Sequence, residues 1–214
     1  MTRIVVATRS AHKLREIRQI LSPYAGLELI DLDDAGIPES PGEDAVEAFE
    51  TFEENALAKA RYFAARSPLP VLADDSGICV DVLGGAPGVR SKRFSGRTDL
   101  GGSELDGANN ALLLERLSGV PESERTGRYV CAAAVVLPDG IEHVSVGTCE
   151  GVVLNQPRGA GGFGYDPLFL VPEAGATFGE LSPADKDRLS HRGKAMRALG
   201  EWLAHALDGS PGNR

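Results

Sequence analysis

The sequence predicts an α/β protein with a mixed central sheet. Strand-like and helix-like apolar patterns alternate through the first half, a long apolar hairpin follows, and clusters of Gly, Pro and Asp separate the segments. Arg3 to Thr8 has a β-branched core, and Leu14, Ile17, Ile20 and Leu21 then recur at helical spacing, so a strand feeds a helix through the loop Thr8 to Lys13. Leu27 to Ile30 reads as a second strand, leading into an acidic, Pro-containing loop from Asp31 to about Glu50. Thr51-Phe52-Glu53-Glu54 has the form of a capping box, Ala56, Leu57, Ala60 and Phe63 continue one helical face, and Pro68 and Pro70 stop it. Val71-Leu72-Ala73 reads as a short buried strand ending at Asp74-Asp75-Ser76-Gly77. The segment 84–96 reads as a loop before a helix carrying Leu112, Leu113, Leu114 and Leu117. Tyr129 to Leu137 and Ile141 to Leu154 form an antiparallel hairpin about Pro138-Asp139-Gly140. Ser182-Pro183 matches an N-cap with Pro at the first helical position, and a final helix spans Ser190 to Ala206 before a polar tail at 208–214.

With 214 residues and 42% hydrophobic content, the chain can bury a substantial core as one domain or one domain with two lobes. Lys and Arg number 22 against 31 Asp and Glu; the net charge of -9 disfavours a nucleic-acid polymer as partner and leaves a small anion carried with a metal compatible. The opening MTRIVVATRS is too short an apolar run for a signal sequence, and no run approaches a membrane span. Cys79, Cys131 and Cys149 are odd in number and set in apolar surroundings, which reads as reduced core cysteines and a cytoplasmic protein.

The stretch GGFGYDP at 161–167 carries the strongest chemical signal. Glycines around an aromatic let backbone approach a flat ligand, and Lys186 with His191-Arg192 supplies the charge a phosphorylated ligand needs. Phe163 can stack on a base or pack in the core, and Asp166-Pro167 can be a turn. Lys186, His191 and Arg192 can equally be cations around helix ends. Asp74-Asp75 reads either as a Mg²⁺ ligand and water activator or as a turn. The junction Thr8-Arg9-Ser10-Ala11-His12-Lys13 aims N–H groups, two hydroxyls and a lysine at an anion, or is a plain helix start. Lys59 can reach a phosphate or stay solvated, and Glu47, Glu50, Glu53 and Glu54 can complete a metal site or form a solvated face.

Taken in order, ATRSAHK at 7–13, TFEENALAKA at 51–60, ADDSG at 73–77, GGAPGVRS at 84–91, GGFGYDP at 161–167 and SHRG at 190–193 closely resemble the inosine triphosphate pyrophosphatase family across nearly the whole chain. The resemblance implies a Mg²⁺-dependent hydrolase that cuts between the α and β phosphates of ITP, dITP and XTP, releasing the monophosphate and pyrophosphate. It further implies an elongated mixed sheet flanked by helices, in two lobes with a substrate cleft between them, within a single domain at 1–207 that forms a homodimer. Thr8, Arg9, Ser10, Ala11, His12 and Lys13 match the family's phosphate loop, and Lys59 a lysine near the triphosphate. Asp75 matches the metal ligand and proton acceptor, with Asp74 beside it, Ser76 at the substrate and Glu47 aligned with the second metal carboxylate. Phe163, Gly164, Tyr165 and Asp166 match the base-binding loop, and Lys186, His191 and Arg192 the remaining purine contacts. Two departures stand out: Ser10 where the family commonly has Asn, and Glu47-Ala48-Phe49 where it has Glu-Thr-Gly. Another modified or pyrimidine triphosphate as substrate, and a non-catalytic nucleotide sensor, are the competing readings.

Overall fold

The computed structural model describes residues 1–43 and 45–208. The tail read at 208–214 lies outside them except for Asp208, which ends the last helix. The strands are β1 (Thr2–Val6), β2 (Leu27–Ile30), β3 (Val71–Val80), β4 (Thr126–Val136), β5 (Glu142–Val153), β6 (Phe169–Val171) and β7 (Ala176–Thr177). They form one sheet in the order β2-β1-β3-β4-β5-β6-β7. β1 pairs in parallel with β2 and β3, whereas β6 pairs antiparallel with β5 and β7, so the sheet is mixed as the alternating pattern predicts. The helices are α1 (Ala11–Leu21), α2 (Phe52–Ala64), α3 (Gly102–Arg116), α4 (Pro183–Leu189) and α5 (His191–Asp208).

The capping signals act as the sequence indicates. Thr51 Oγ1 accepts from Glu54 N at 3.2 Å and donates to Glu54 Oε2 at 2.7 Å, which starts α2 where the box predicts. Ser182 Oγ accepts from Asp185 N at 3.1 Å, with Pro183 opening α4. The hairpin closes with Leu137 N donating to Ile141 O at 2.8 Å.

One boundary is corrected. β3 does not end at Ala73; it runs on through Asp74, Asp75, Ser76 and Gly77 to Val80. These four have turn composition, but Asp74 is 0% exposed and matched by cations, so the strand buries its charge instead of shedding it to solvent. Gly77 is required by contact: a Cβ there would lie 2.3 Å from Ser91 Oγ and 2.5 Å from Gly88 O. The 84–96 loop contains a 3-10 helix at Gly88–Arg93, and β6 and β7 are too short to leave a readable period.

The chain packs as two compact units. The first comprises Met1–Asp75, Cys131–Gly147 and the chain from His191 on. Its core joins Ile4, Ile17, Leu21, Leu72, Ala133 and Leu199, with α1 against α5. Gly147 lets β5 touch the start of α5, since a Cβ there would come within 2.3 Å of His191 O. The second unit comprises Ser76–Val130 and Thr148–Ser190. Its core gathers Ile78, Leu113, Leu117, Leu168 and Phe178, and the Tyr129 and Phe169 rings meet edge to face at 4.8 Å between centroids.

Candidate active site

In the first unit, the β1-to-α1 junction is ordered by its own hydroxyls. Ser10 N donates to Thr8 Oγ1 at 3.2 Å, and Ser10 Oγ accepts from Lys13 N at 3.4 Å as the N-cap of α1. Ala11 and His12 form the exposed start of the helix, where N–H groups favour an anion. Arg9 turns elsewhere. Its Nε and Nη2 form a bidentate pair with Glu43 at 3.1 and 2.9 Å, Nη1 donates to Asp33 at 3.2 Å, and Nη2 to Ile37 O at 3.0 Å. Hydrogen bonding to Arg9 is the main cause holding the Glu43 carboxyl below its ordinary range. Arg9 thus braces the acidic loop following β2. Arg9→Ala and Glu43→Ala are each expected to cost about 1 kcal/mol, with the double variant costing little more than either, measured as a urea-unfolding double-mutant cycle.

Asp74 is the charge hub of this unit. Its Oδ2 lies 3.1 Å from Lys13 Nζ and accepts from Arg192 Nε at 3.2 Å, and the Cys131 thiol lies 4.0 Å away. Burial alone would raise the Asp74 carboxyl, but Lys13, Arg192 and Lys59 outweigh it and hold it well below the usual carboxylate range. Arg192, at 2% exposure, also donates from Nη1 to Glu16 Oε2 at 2.6 Å. Burial pushes the Cys131 thiol up to about 12, so it stays protonated.

Asp75, the next residue, behaves in the opposite way. Burial, reinforced by the Glu47 and Asp74 charges, pushes its carboxyl up to about 6 against the pull of Lys13 and Lys59. Lys59 pairs with Glu47; although burial opposes its charge, Glu47 and Asp74 keep the ammonium protonated. The structure therefore brings Lys13, Lys59, Glu47, Asp74 and Asp75 into one electrostatic neighbourhood.

Asp74 Oδ1 is buried without a hydrogen-bond partner, and the ionised form of Asp75 is disfavoured by its surroundings. Both conditions are relieved by a hard cation. Among the described residues no three His, Cys, Asp or Glu close on one metal point. Mg²⁺ uses one or two carboxylates with waters and substrate phosphates, so Asp75 and Glu47 fit it without an all-protein cage.

In the second unit, Asp166 organises the 161–166 loop. Its Oδ2 accepts from Phe163 N at 2.7 Å and from Lys186 Nζ at 2.6 Å, and Tyr129 OH lies 3.5 Å from Oδ1. Lys186 also sits 4.7 Å from the Phe163 ring centroid. Gly162 is obligatory, with φ at +75° and Asp166 Oδ2 2.2 Å from where a Cβ would be. Tyr165 OH donates to Ser91 O at 2.8 Å, and Ser91 Oγ accepts from Ile78 N at 2.9 Å while donating to Gly88 O at 2.7 Å. The GGAPGVRS motif is thereby given a structural task, bracing both β3 and the loop. Ser76 is half-buried on β3, and His191 is buried at the start of α5 in the first unit.

Sequence reasoning missed Glu16 and Glu43, because partners separated by up to 176 positions leave no local pattern, while Cys131 is the buried, reduced cysteine the sequence predicts. It also missed Asp106 and Asn110 on α3, which hold Gly164 and whose four-residue spacing was readable.

The structure is thus a mixed α/β sheet whose third strand carries a buried aspartate pair in one charge cluster with Lys13, Lys59 and Arg192. Residues 4–202 match the Ham1 family, and the chain belongs to that family. A dITP/XTP pyrophosphatase of Frankia alni is 50% identical over 206 residues, covering 96% of this chain and 98% of that protein. One from Geobacter sulfurreducens is 48% identical, covering 95% and 97%. Among solved structures, a HAM1 protein from Coxiella burnetii aligns with a TM-score of 0.81 at 34% identity, covering 96% of this chain and all of that one. A nucleoside-triphosphatase / dITP/XTP pyrophosphatase from Mycobacterium abscessus aligns at 0.71 and 43% identity, covering 92% and 98%.

Proposed function

We infer that the protein hydrolyses non-standard purine nucleoside triphosphates, dITP, ITP and XTP, to the monophosphate and pyrophosphate. The observation that carries the reading is the buried Asp75 carboxyl set among the charges of Lys13, Lys59, Glu47 and Asp74, in a chain of the Ham1 family. Asp75 orients a water for in-line attack and takes its proton. Lys13, Lys59 and the start of α1 neutralise the phosphates, with the Thr8 and Ser10 hydroxyls and Ser76 nearby on the chain. Mg²⁺, held by Asp75 and Glu47, would supply further neutralisation of phosphate charge.

The purine falls to the second unit's loop and to the residues that follow it. Phe163 offers a ring, with Gly164, Tyr165, Asp166 and Lys186 around it, while His191 and Arg192 are donors for the 6-oxo group that inosine and xanthosine carry and adenine lacks. The N–H groups of Phe163 and Gly164 are engaged by Asp166 and Asp106, so these two backbone donors are not the ones assigned to the purine edge. Residues 1–207 act as one functional domain in this reading, and the enzyme works as a homodimer in the cytoplasm. Cys79, Cys131 and Cys149 are not joined in disulfides, which suits a reducing compartment, and no helix among the described residues is long and apolar enough to cross a membrane.

The test is pyrophosphate release with Mg²⁺ from dITP, XTP, dATP and dGTP. Values of kcat/KM for dITP and XTP at least roughly 100-fold above those for dATP and dGTP are expected. Nucleotide binding with no release from any of them would instead identify a sensor.

A further inference from the structure

We propose that Asp106 and Asn110 on α3 are positioning residues for the purine. They hold both peptide groups of Gly164 and so fix the loop on which Phe163 and Asp166 stand; this rests on the assignment of that loop to the base. The two residues lie four positions apart, hence on one face of α3. Gly164 N donates to Asp106 Oδ2 at 2.8 Å, and Asn110 Nδ2 donates to Gly164 O at 3.0 Å.

Gly164 sits at φ +64°, a conformation that glycine adopts freely, and a Cβ there would touch nothing within 4 Å. Neither a side chain nor close packing therefore restrains it, and its backbone entropy is removed only through its amide and carbonyl. The flanking residues are tied within the second unit, Phe163 N to Asp166 and Tyr165 OH to Ser91 O. Gly164 is the point at which α3 grips the loop. Releasing it loosens the loop that holds the Phe163 ring 4.7 Å from Lys186, while Lys13, Lys59 and Asp75 belong to the first unit and keep their partners. The defect belongs in base affinity and purine discrimination, not in the chemical step.

Asp106→Leu removes the acceptor while keeping a branched side chain of equal heavy-atom count, Asp106→Asn retains an acceptor, and Asn110→Leu removes the donor to Gly164 O. In the full-length enzyme with Mg²⁺, Asp106→Leu is expected to raise KM for dITP and XTP about tenfold with kcat changed less than about threefold. Asp106→Asn should recover to within about threefold of the original KM, and the dITP-to-dGTP ratio of kcat/KM should fall with Leu but not with Asn. Competitive inhibition by pyrophosphate, which has no purine, should stay within about twofold. If Asp106→Leu does not fold, Asn110→Leu gives the same reading through the other half of the grip. An unchanged KM, or a rise in KM matched by equal weakening of pyrophosphate inhibition, would overturn the proposal. Failure of the unmodified enzyme to cleave dITP or XTP would overturn the functional reading beneath it, a result separate from either variant.

Discussion

Asp75→Asn is expected to lower kcat by at least about 10³-fold and, in metal-free protein at pH 7.5, to raise the thermal midpoint. The first effect follows from the proposed role of Asp75 as the group that takes the proton of the attacking water. The second follows from the carboxyl's position at about 6, against an ordinary 3.8, in a setting made by burial, Glu47 and Asp74 and opposed by Lys13 and Lys59. With the folded value raised, the native state binds the extra proton between about pH 4 and pH 6, so the site's stabilisation is complete below that window and lost as pH rises through it. At pH 7.5 the ionised carboxylate is a penalty of about 3 kcal/mol, or roughly 6–12 °C, which asparagine does not carry. Scanning calorimetry at pH 7.5 and pH 4 checks this: the variant's advantage should appear at the first and vanish at the second. A lower midpoint for the variant at pH 7.5, or retained turnover, would remove Asp75 from the assigned role.

Asp74→Ala is expected to be the most destabilising single change at the site, costing about 3–5 kcal/mol, because it strips a buried counter-ion from both Lys13 and Arg192. Arg192 keeps Glu16, which limits the damage on that side. Asp74→Asn preserves shape but not charge and should cost less than alanine. The pH dependence is opposite in sign to that of Asp75. With its folded value depressed, the Asp74 contribution is present above the ordinary aspartate range and lost only as pH falls below about 4. Urea midpoints at pH 5, 7 and 8 should therefore show a constant gap between original and variant, and that gap should hardly respond to added salt because the pair is buried.

These adjacent aspartates also mark the limit of what a sequence discloses. β2 begins and ends where its four apolar-rich residues indicate, the Thr51 cap starts α2, and Pro138-Asp139-Gly140 turns the hairpin, because each depends on neighbours in the chain. The continuation of β3 through Asp74 to Gly77 was not legible: four residues of turn composition become strand only when Lys13 and Arg192, 61 and 118 positions away, neutralise the buried charge. The lysines, Glu47 and Asp75 were picked out by residue type and family motif, and packing brings them together. Arg9 stood out as a cation of the phosphate loop, yet its bidentate partner Glu43 lies in a loop whose shape no local pattern specifies.

Lys59 is paired with Glu47, and Lys13 with Asp74. In the proposed reaction an arriving polyphosphate would meet cations that already have partners, and its capture would be a ligand exchange, each phosphate contact tightening as a carboxylate contact loosens. The net gain is the difference between two ion pairings, so it grows with the charge of the incoming anion. Scission divides that charge between two fragments, neither of which competes as strongly as the intact triphosphate. In that reaction the carboxylates would reclaim their lysines, so the Lys13–Asp74 pair that steadies the strand in the free protein would also favour departure of the products.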